Sequence, residues 1–131
     1  MLRADIAKAI DELPIDIKEQ ITTLGSECLD LLNTYLSAHE EVRQISSAAP
    51  RPDTAYNCVL AITSRRLIFM APAPQAVGWR LSTITKAQSY GGYFFVEGDA
   101  GEYSPGLDST WGQTFEAQVK RAIAVAVLAG E

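Results

Sequence analysis

Hydrophobic positions recur at two periods along this chain, one helical and one alternating, and the change between them falls near residue 37. From Leu2 to Leu13, Leu2, Ile6, Ile10 and Leu13 are spaced by four and three, while Asp5, Lys8, Asp11 and Glu12 occupy the other side. That spacing predicts an amphipathic helix. Pro14 cannot donate an interior helical hydrogen bond, so it ends this helix or opens the next, in which Ile17, Ile21 and Leu24 mark one face. Gly25-Ser26 offers a break, and Glu27 to Leu36 predicts a third helix with Ser26 as its N-cap and Cys28, Leu31, Leu32, Tyr35 and Leu36 on a broad apolar stripe.

Beyond the polar stretch Ser37 to Glu41 the pattern becomes that of strands. Val42 to Ile45 alternates and reads as a first strand, and Ser46 to Thr54, with two prolines among small polar residues, reads as a loop. Tyr56 to Thr63 and Arg66 to Met70 are apolar runs joined only by Ser64-Arg65, which predicts a tight hairpin without the glycine or asparagine preferred in primed turns. Ala71 to Gln75 closes that strand. Val77 to Leu81 and Ile84 to Tyr90 follow, and Gly91-Gly92 turns the chain into Tyr93 to Glu97. Gly98 to Gly101 supplies another turn, the stretch after Glu102-Tyr103 reads as loop or edge, and Thr110-Trp111 reads as a last short strand. Phe115, Val119, Ala122, Ile123 and Ala126 then share one helical face. Several short antiparallel strands followed by one helix predict an α+β fold with a curled sheet or partly open barrel capped by a C-terminal helix. Burying Phe115, Val119 and Ile123 is worth roughly 1.5–3 kcal/mol each, more than any surface ion pair at about 0–1 kcal/mol.

The Leu60-Ala61-Ile62-Thr63-Ser64-Arg65-Arg66-Leu67-Ile68-Phe69 hairpin, a lead-in at Leu36, Glu40, Glu41 and Val42, and an apolar-Ser-x-Ile element at Leu81, Ser82 and Ile84 together resemble the bacterial pleckstrin-homology-like (PH-like) domains of the YokE type. The resemblance runs from about Tyr35 to Ala129. It implies a seven-stranded, strongly bent antiparallel sheet closed by a C-terminal helix, and divides the chain into an N-terminal helical extension, residues 1–36, and a PH-like domain, residues 37–131. Related sequences commonly place an acidic residue before the arginine pair. Ser64 stands there instead, which removes a local carboxylate partner for Arg65.

Composition narrows the functional classes. The chain has 131 residues, 47% of them hydrophobic, a size suited to one core. A net charge of −5 repels phosphate backbones and anionic headgroups, so nucleic acid is not expected as a partner and membrane binding is disfavoured. The longest apolar run, Ala122 to Gly130, has nine residues, against the roughly 20 needed to span a bilayer, and a cytoplasmic protein is expected. Cys28 and Cys58 lack metal-type spacing and read as buried free thiols. No cofactor motif is present: both the dinucleotide glycine fingerprint and the phosphate-loop pattern are missing. His39 is the only histidine and has no nucleophile motif beside it, its neighbours Glu40 and Glu41 reading as a solvated helix exit, so neither catalysis nor a metal site is expected.

Two groups of candidate binding residues remain. Arg65 and Arg66 are suited to an anion, but adjacent strand residues point to opposite faces, so both reach one ligand only if the turn rotates one of them; solvating the hairpin end is the structural alternative. Inositol-phosphate recognition of the better-known PH type is disfavoured, because Ser46 to Thr54 carries only Arg51. Trp79, Arg80, Tyr90, Tyr93 and Trp111 form an aromatic partner surface or fill the core, with Trp79 and Arg80 the pair expected to be exposed near a loop. The helices add a third consideration, since Ile6, Ile10, Leu13, Ile17, Ile21 and Leu24 present more apolar surface than a small capped barrel needs. The leading expectation is therefore a non-enzymatic protein-interaction module that binds a protein partner or itself. A lipid- or small-anion-binding domain using Arg65, Arg66 and Arg80 is the alternative, and an uncharacterised enzyme the third reading.

Overall fold

The computed structural model describes residues 1–73 and 75–130. Pro74, within the segment read as closing a strand, and Glu131, the last residue of the domain expected at 37–131, lie outside the described residues. Three helices come first, α1 (Ala4–Asp11), α2 (Ile15–Thr23) and α3 (Ser26–Tyr35). Seven strands follow: β1 (Val42–Ala48), β2 (Cys58–Thr63), β3 (Arg66–Ala71), β4 (Gln75–Arg80), β5 (Lys86–Tyr90), β6 (Tyr93–Gly98) and β7 (Gly101–Tyr103), with a 3₁₀ turn at Leu81–Thr83 between β4 and β5. The long helix α4 (Gly112–Leu128) closes the described chain. The fold is α+β, and the strands form two antiparallel sheets, β1-β2-β3-β4 and β5-β6-β7, that do not close into a barrel.

The central strands of the first sheet, β2 and β3, are buried on both faces, which explains why β2 reads as an unbroken apolar run rather than an alternating one. Leu60, Ile62, Leu67 and Phe69 face inward with Trp79, against Phe94 and Val96 of the second sheet and Phe115 and Val119 of α4. Val59, Ala61, Ile68 and Met70 face the other way, where Ile6, Ile10, Ile21 and Leu32 of the N-terminal helices cover them. The apolar faces that called for a partner are thus largely consumed within one molecule. Ile15 on α2 and Leu24, the residue that caps it, are exposed exceptions.

Several boundaries differ from the expectations. β1 extends through Ser46 and Ser47 to Ala48, because both buried hydroxyls find partners: Ser46 Oγ accepts from Trp111 Nε1 at 3.0 Å, and Ser47 Oγ donates to Gln20 Oε1 at 2.7 Å. Ala49 then exchanges two backbone hydrogen bonds with Gly106, at 3.0 and 2.9 Å. A Cβ on Gly106 would lie 2.8 Å from Ala49 Cβ and 2.9 Å from the Arg51 carbonyl oxygen, so only glycine permits this approach. Thr110-Trp111 is not a strand but the turn into α4, held by Thr110 N–H on Asp108 Oδ1 at 2.9 Å. The third short strand of the second sheet is Gly101–Tyr103 instead, paired with β6 through Val96 and Tyr103. Ser26 lies inside α3, and the residue before it, Gly25, caps that helix without a side-chain hydrogen bond.

Candidate functional site

The β2–β3 turn is built on one buried hydroxyl. Thr63 Oγ1 accepts the backbone N–H groups of Arg65 at 3.1 Å and Arg66 at 2.9 Å, and donates to Glu40 Oε2 at 2.6 Å. Ser64 ties the turn to the segment after α3: its N–H donates to the Glu41 carbonyl at 2.8 Å, and its Oγ accepts from Glu41 N–H at 3.1 Å. Position 64 therefore supplies a hydroxyl that clamps two segments together. The carboxylate comes from Glu40, and it engages Arg66 rather than Arg65.

Glu40 is only 2% exposed, contrary to its expected solvation. Arg66 grips it with two parallel bonds, Nε to Oε2 at 2.9 Å and Nη2 to Oε1 at 2.7 Å, and donates from Nη1 to Tyr35 Oη at 3.0 Å. Burial alone would raise the Glu40 pKa, but the hydrogen bonds from Arg66 and Thr63 outweigh it and hold the carboxyl below its ordinary value. The bonds to Glu40 likewise hold Arg66 above the ordinary arginine value, against the opposing effect of burial. Gly78, facing this pair from β4, leaves space that a side chain would take from the guanidinium, since a Cβ there would lie 3.3 Å from Arg66 Nη1.

Arg80 stands opposite Arg66 in the β3–β4 register, on the same face of the sheet. Its backbone N–H donates to Asp99 Oδ1 at 3.1 Å, and the next residue, Leu81, donates to the Arg65 carbonyl at 3.0 Å. These bonds root Arg65 and Arg80 side by side, and both are exposed. Arg65, Arg66 and Arg80 line one open cavity of about 530 Å³ with Tyr35, Ser37 and Ser82, and Ala126 of α4 forms an apolar part of its wall. The turn does bring both members of the arginine pair to one cavity. Three arginines against Glu40 leave two positive charges there, on a chain of net charge −5.

Trp79 does not join them. It faces the other side of the sheet, is fully buried, and donates from Nε1 to the Gly101 carbonyl at 2.9 Å, bridging β4 to β7. Strand alternation sends Arg80 out and Trp79 into the core, so the two are not an exposed pair. Trp111 is buried too, while Tyr90 and Tyr93 stack at 5.3 Å between centroids on the second sheet. His39 is exposed on the loop after α3. Among the described residues no group of three His, Cys, Asp or Glu side chains is placed to hold a metal ion. Cys28 and Cys58 are free and buried; burial is the main cause that pushes the first thiol up to about 12 and the second to about 11.

Glu40 and Tyr35 are the site residues that sequence reasoning missed as such. The signal lay in the lead-in Leu36, Glu40, Glu41, Val42, which the fold brings against the arginine hairpin. Compared with protein-family models and with curated proteins, the chain matches none. No helix among the described residues is long and apolar enough to cross a membrane.

Proposed function

We propose that this chain is a non-enzymatic binding module of PH-like type whose site is the arginine cavity, and that the cavity takes a small anion. Seven antiparallel strands followed by a C-terminal helix support the PH-like reading. The observation that carries the anion reading is local charge: Arg65 and Arg80 flank a third arginine and, among the described residues, their guanidinium groups make no ion pair and no hydrogen bond. Unsatisfied guanidinium forks next to one another repel, and an anion that bridges them relieves that repulsion while accepting charge-assisted hydrogen bonds. Titration of the ¹⁵N-labelled protein with inorganic phosphate and sulfate tests this. Saturable shifts confined to residues 63–66 and 80–82 are expected, and Arg65→Ala/Arg80→Ala should abolish them without lowering the melting temperature. Shifts that are absent, or that survive in the double variant, refute it.

A protein partner, the leading expectation from sequence, keeps one specific observation in its favour. The last turns of α4 expose Val125, Val127 and Leu128, the last at 87%, next to the wall residue Ala126. This patch is smaller than the surplus predicted from the N-terminal helices, most of which is buried internally. Light scattering over a range of concentration tests self-association through it, and a mass that stays monomeric for both the wild type and Val127→Glu removes that partner.

A further inference from the structure

The three arginines are not equivalent. Arg66 is committed: Nε and Nη2 are on Glu40 and Nη1 is on Tyr35, so it forms a fixed wall and contributes field rather than a free fork. Arg65 and Arg80 keep all their guanidinium donors, and the hydroxyls of Ser37 and Ser82 have no hydrogen-bond partner among the described residues. Among the described residues, the only carboxylate lining the cavity is already saturated by Arg66 and Thr63. Among the described residues, what faces the space is therefore two guanidinium groups with no carboxylate partner, and hydroxyls that can turn their O–H groups towards an anion.

On the reading of the cavity as an anion site, on which this rests, we infer that its ligand is a phosphomonoester, bound as the dianion by Arg65 and Arg80 with help from the Ser82 and Ser37 hydroxyls. A carboxylate or a sulfate ester carries one charge and leaves the cavity half-compensated. A monoester phosphate carries close to two at neutral pH and offers three terminal oxygens, enough for two guanidinium forks and a hydroxyl. A cavity of about 530 Å³ is far larger than a phosphate group, so the ester substituent lies within it, against Ala126. The recognised chemistry is the terminal phosphate itself, whether on a free small molecule or on a lipid headgroup.

Calorimetric titration with phenyl phosphate and phenyl sulfate, shape-matched and differing in charge, tests the inference. At about pH 7.5 the phosphate should bind at least tenfold more tightly, and the advantage should collapse towards parity by about pH 5, as the second phosphate ionisation near pH 6 reverses. Arg65→Ala and Arg80→Ala should each weaken phosphate binding about tenfold or more. The groups facing the ligand are Arg65, Arg66, Arg80, Tyr35 and Glu40, with Asp99 and His39 nearby; the pH profile is repeated in His39→Gln, which removes the chain's one imidazole, and should be unchanged. Vesicles of phosphatidylcholine carrying phosphatidic acid, a monoester, are compared with vesicles carrying phosphatidylglycerol, a diester. Binding only to the former supports the inference and identifies a lipid source, and phenyl phosphate binding without vesicle binding supports it with a free source. Equal, pH-independent binding of phenyl phosphate and phenyl sulfate overturns the dianion while leaving an anion site. Binding of neither ligand, with no phosphatidic acid preference, overturns both.

Discussion

Replacing Glu40 with glutamine isolates the ion pair on which the site is assembled. The change keeps shape and removes the charge, leaving the Arg66 guanidinium facing a neutral amide whose NH₂ group cannot accept its bonds. Deleting one partner of a fully buried pair costs about 3–5 kcal/mol. The Arg66 side chain retains 27% exposure, so water relieves part of that loss, and about 2–3 kcal/mol is expected. For 131 residues this corresponds to a fall in melting temperature of about 10 °C. Urea unfolding at neutral pH measures it, and a cycle with Arg66→Gln should return a coupling of about 2 kcal/mol. The pH dependence follows from the depressed Glu40 pKa: its contribution is fully present above the unfolded-state value of about 4.3 and is lost as the pH falls through the lower folded value. The gap between wild type and Glu40→Gln should therefore be constant above about pH 5 and narrow on further acidification. A loss below about 0.5 kcal/mol, or a gap that does not narrow in acid, would refute the pair as the organiser of the hairpin.

Three further outcomes are expected. Ile21→Ala, at a fully buried position between α2 and the first sheet, should lose about 2–5 kcal/mol in urea unfolding; a loss under about 0.5 kcal/mol would mean that the helices are an accessory to the sheet rather than half of its packing. Gly106→Ala forces a Cβ onto Ala49 and the Arg51 carbonyl and should destabilise by about 1–3 kcal/mol, whereas a neutral effect on the melting curve would show that the contact between β1 and the segment before α4 is loose. Cys28 and Cys58, with thiols near 12 and 11, should react with a thiol-specific disulfide reagent at about pH 8 only after urea is added, and prompt reaction of the folded protein would contradict their burial.

The period of the apolar residues carried most of the architecture. Ile6, Ile10, Ile21 and Leu32 fall on the predicted helical faces, and Phe115 and Val119 are the buried anchors of α4. The misreadings have a common physical source in long-range partners. Ser46 and Ser47 look like loop residues until Trp111 and Gln20, distant in sequence, satisfy their hydroxyls inside a buried strand. The helical surplus reads as an interface when one face of a sheet is taken as sufficient for a small core. The centre of the first sheet has two buried faces, and the uninterrupted run Val59 to Ile62 is the local sign of it.

Legibility of the site divides along the same line. The Arg65-Arg66 pair is visible in the sequence as candidate chemistry, whereas the pairing of Trp79 with Arg80 as exposed residues fails because strand alternation buries the one and turns the other outward. The assignment of one arginine to structure and two to solvent was not visible, since it depends on a carboxylate that lies 26 residues before Arg66 and reads locally as part of a polar exit from α3. Serine at position 64 then acquires a reason. The Ser64 hydroxyl accepts from Glu41 N–H and so holds the turn beside Glu40, which among the described residues is the one carboxylate partner of Arg66, with Tyr35 Oη as its second partner. With Arg66 neutralised in place, the excess charge falls on Arg65 and Arg80, whose guanidinium groups make no ion pair among the described residues.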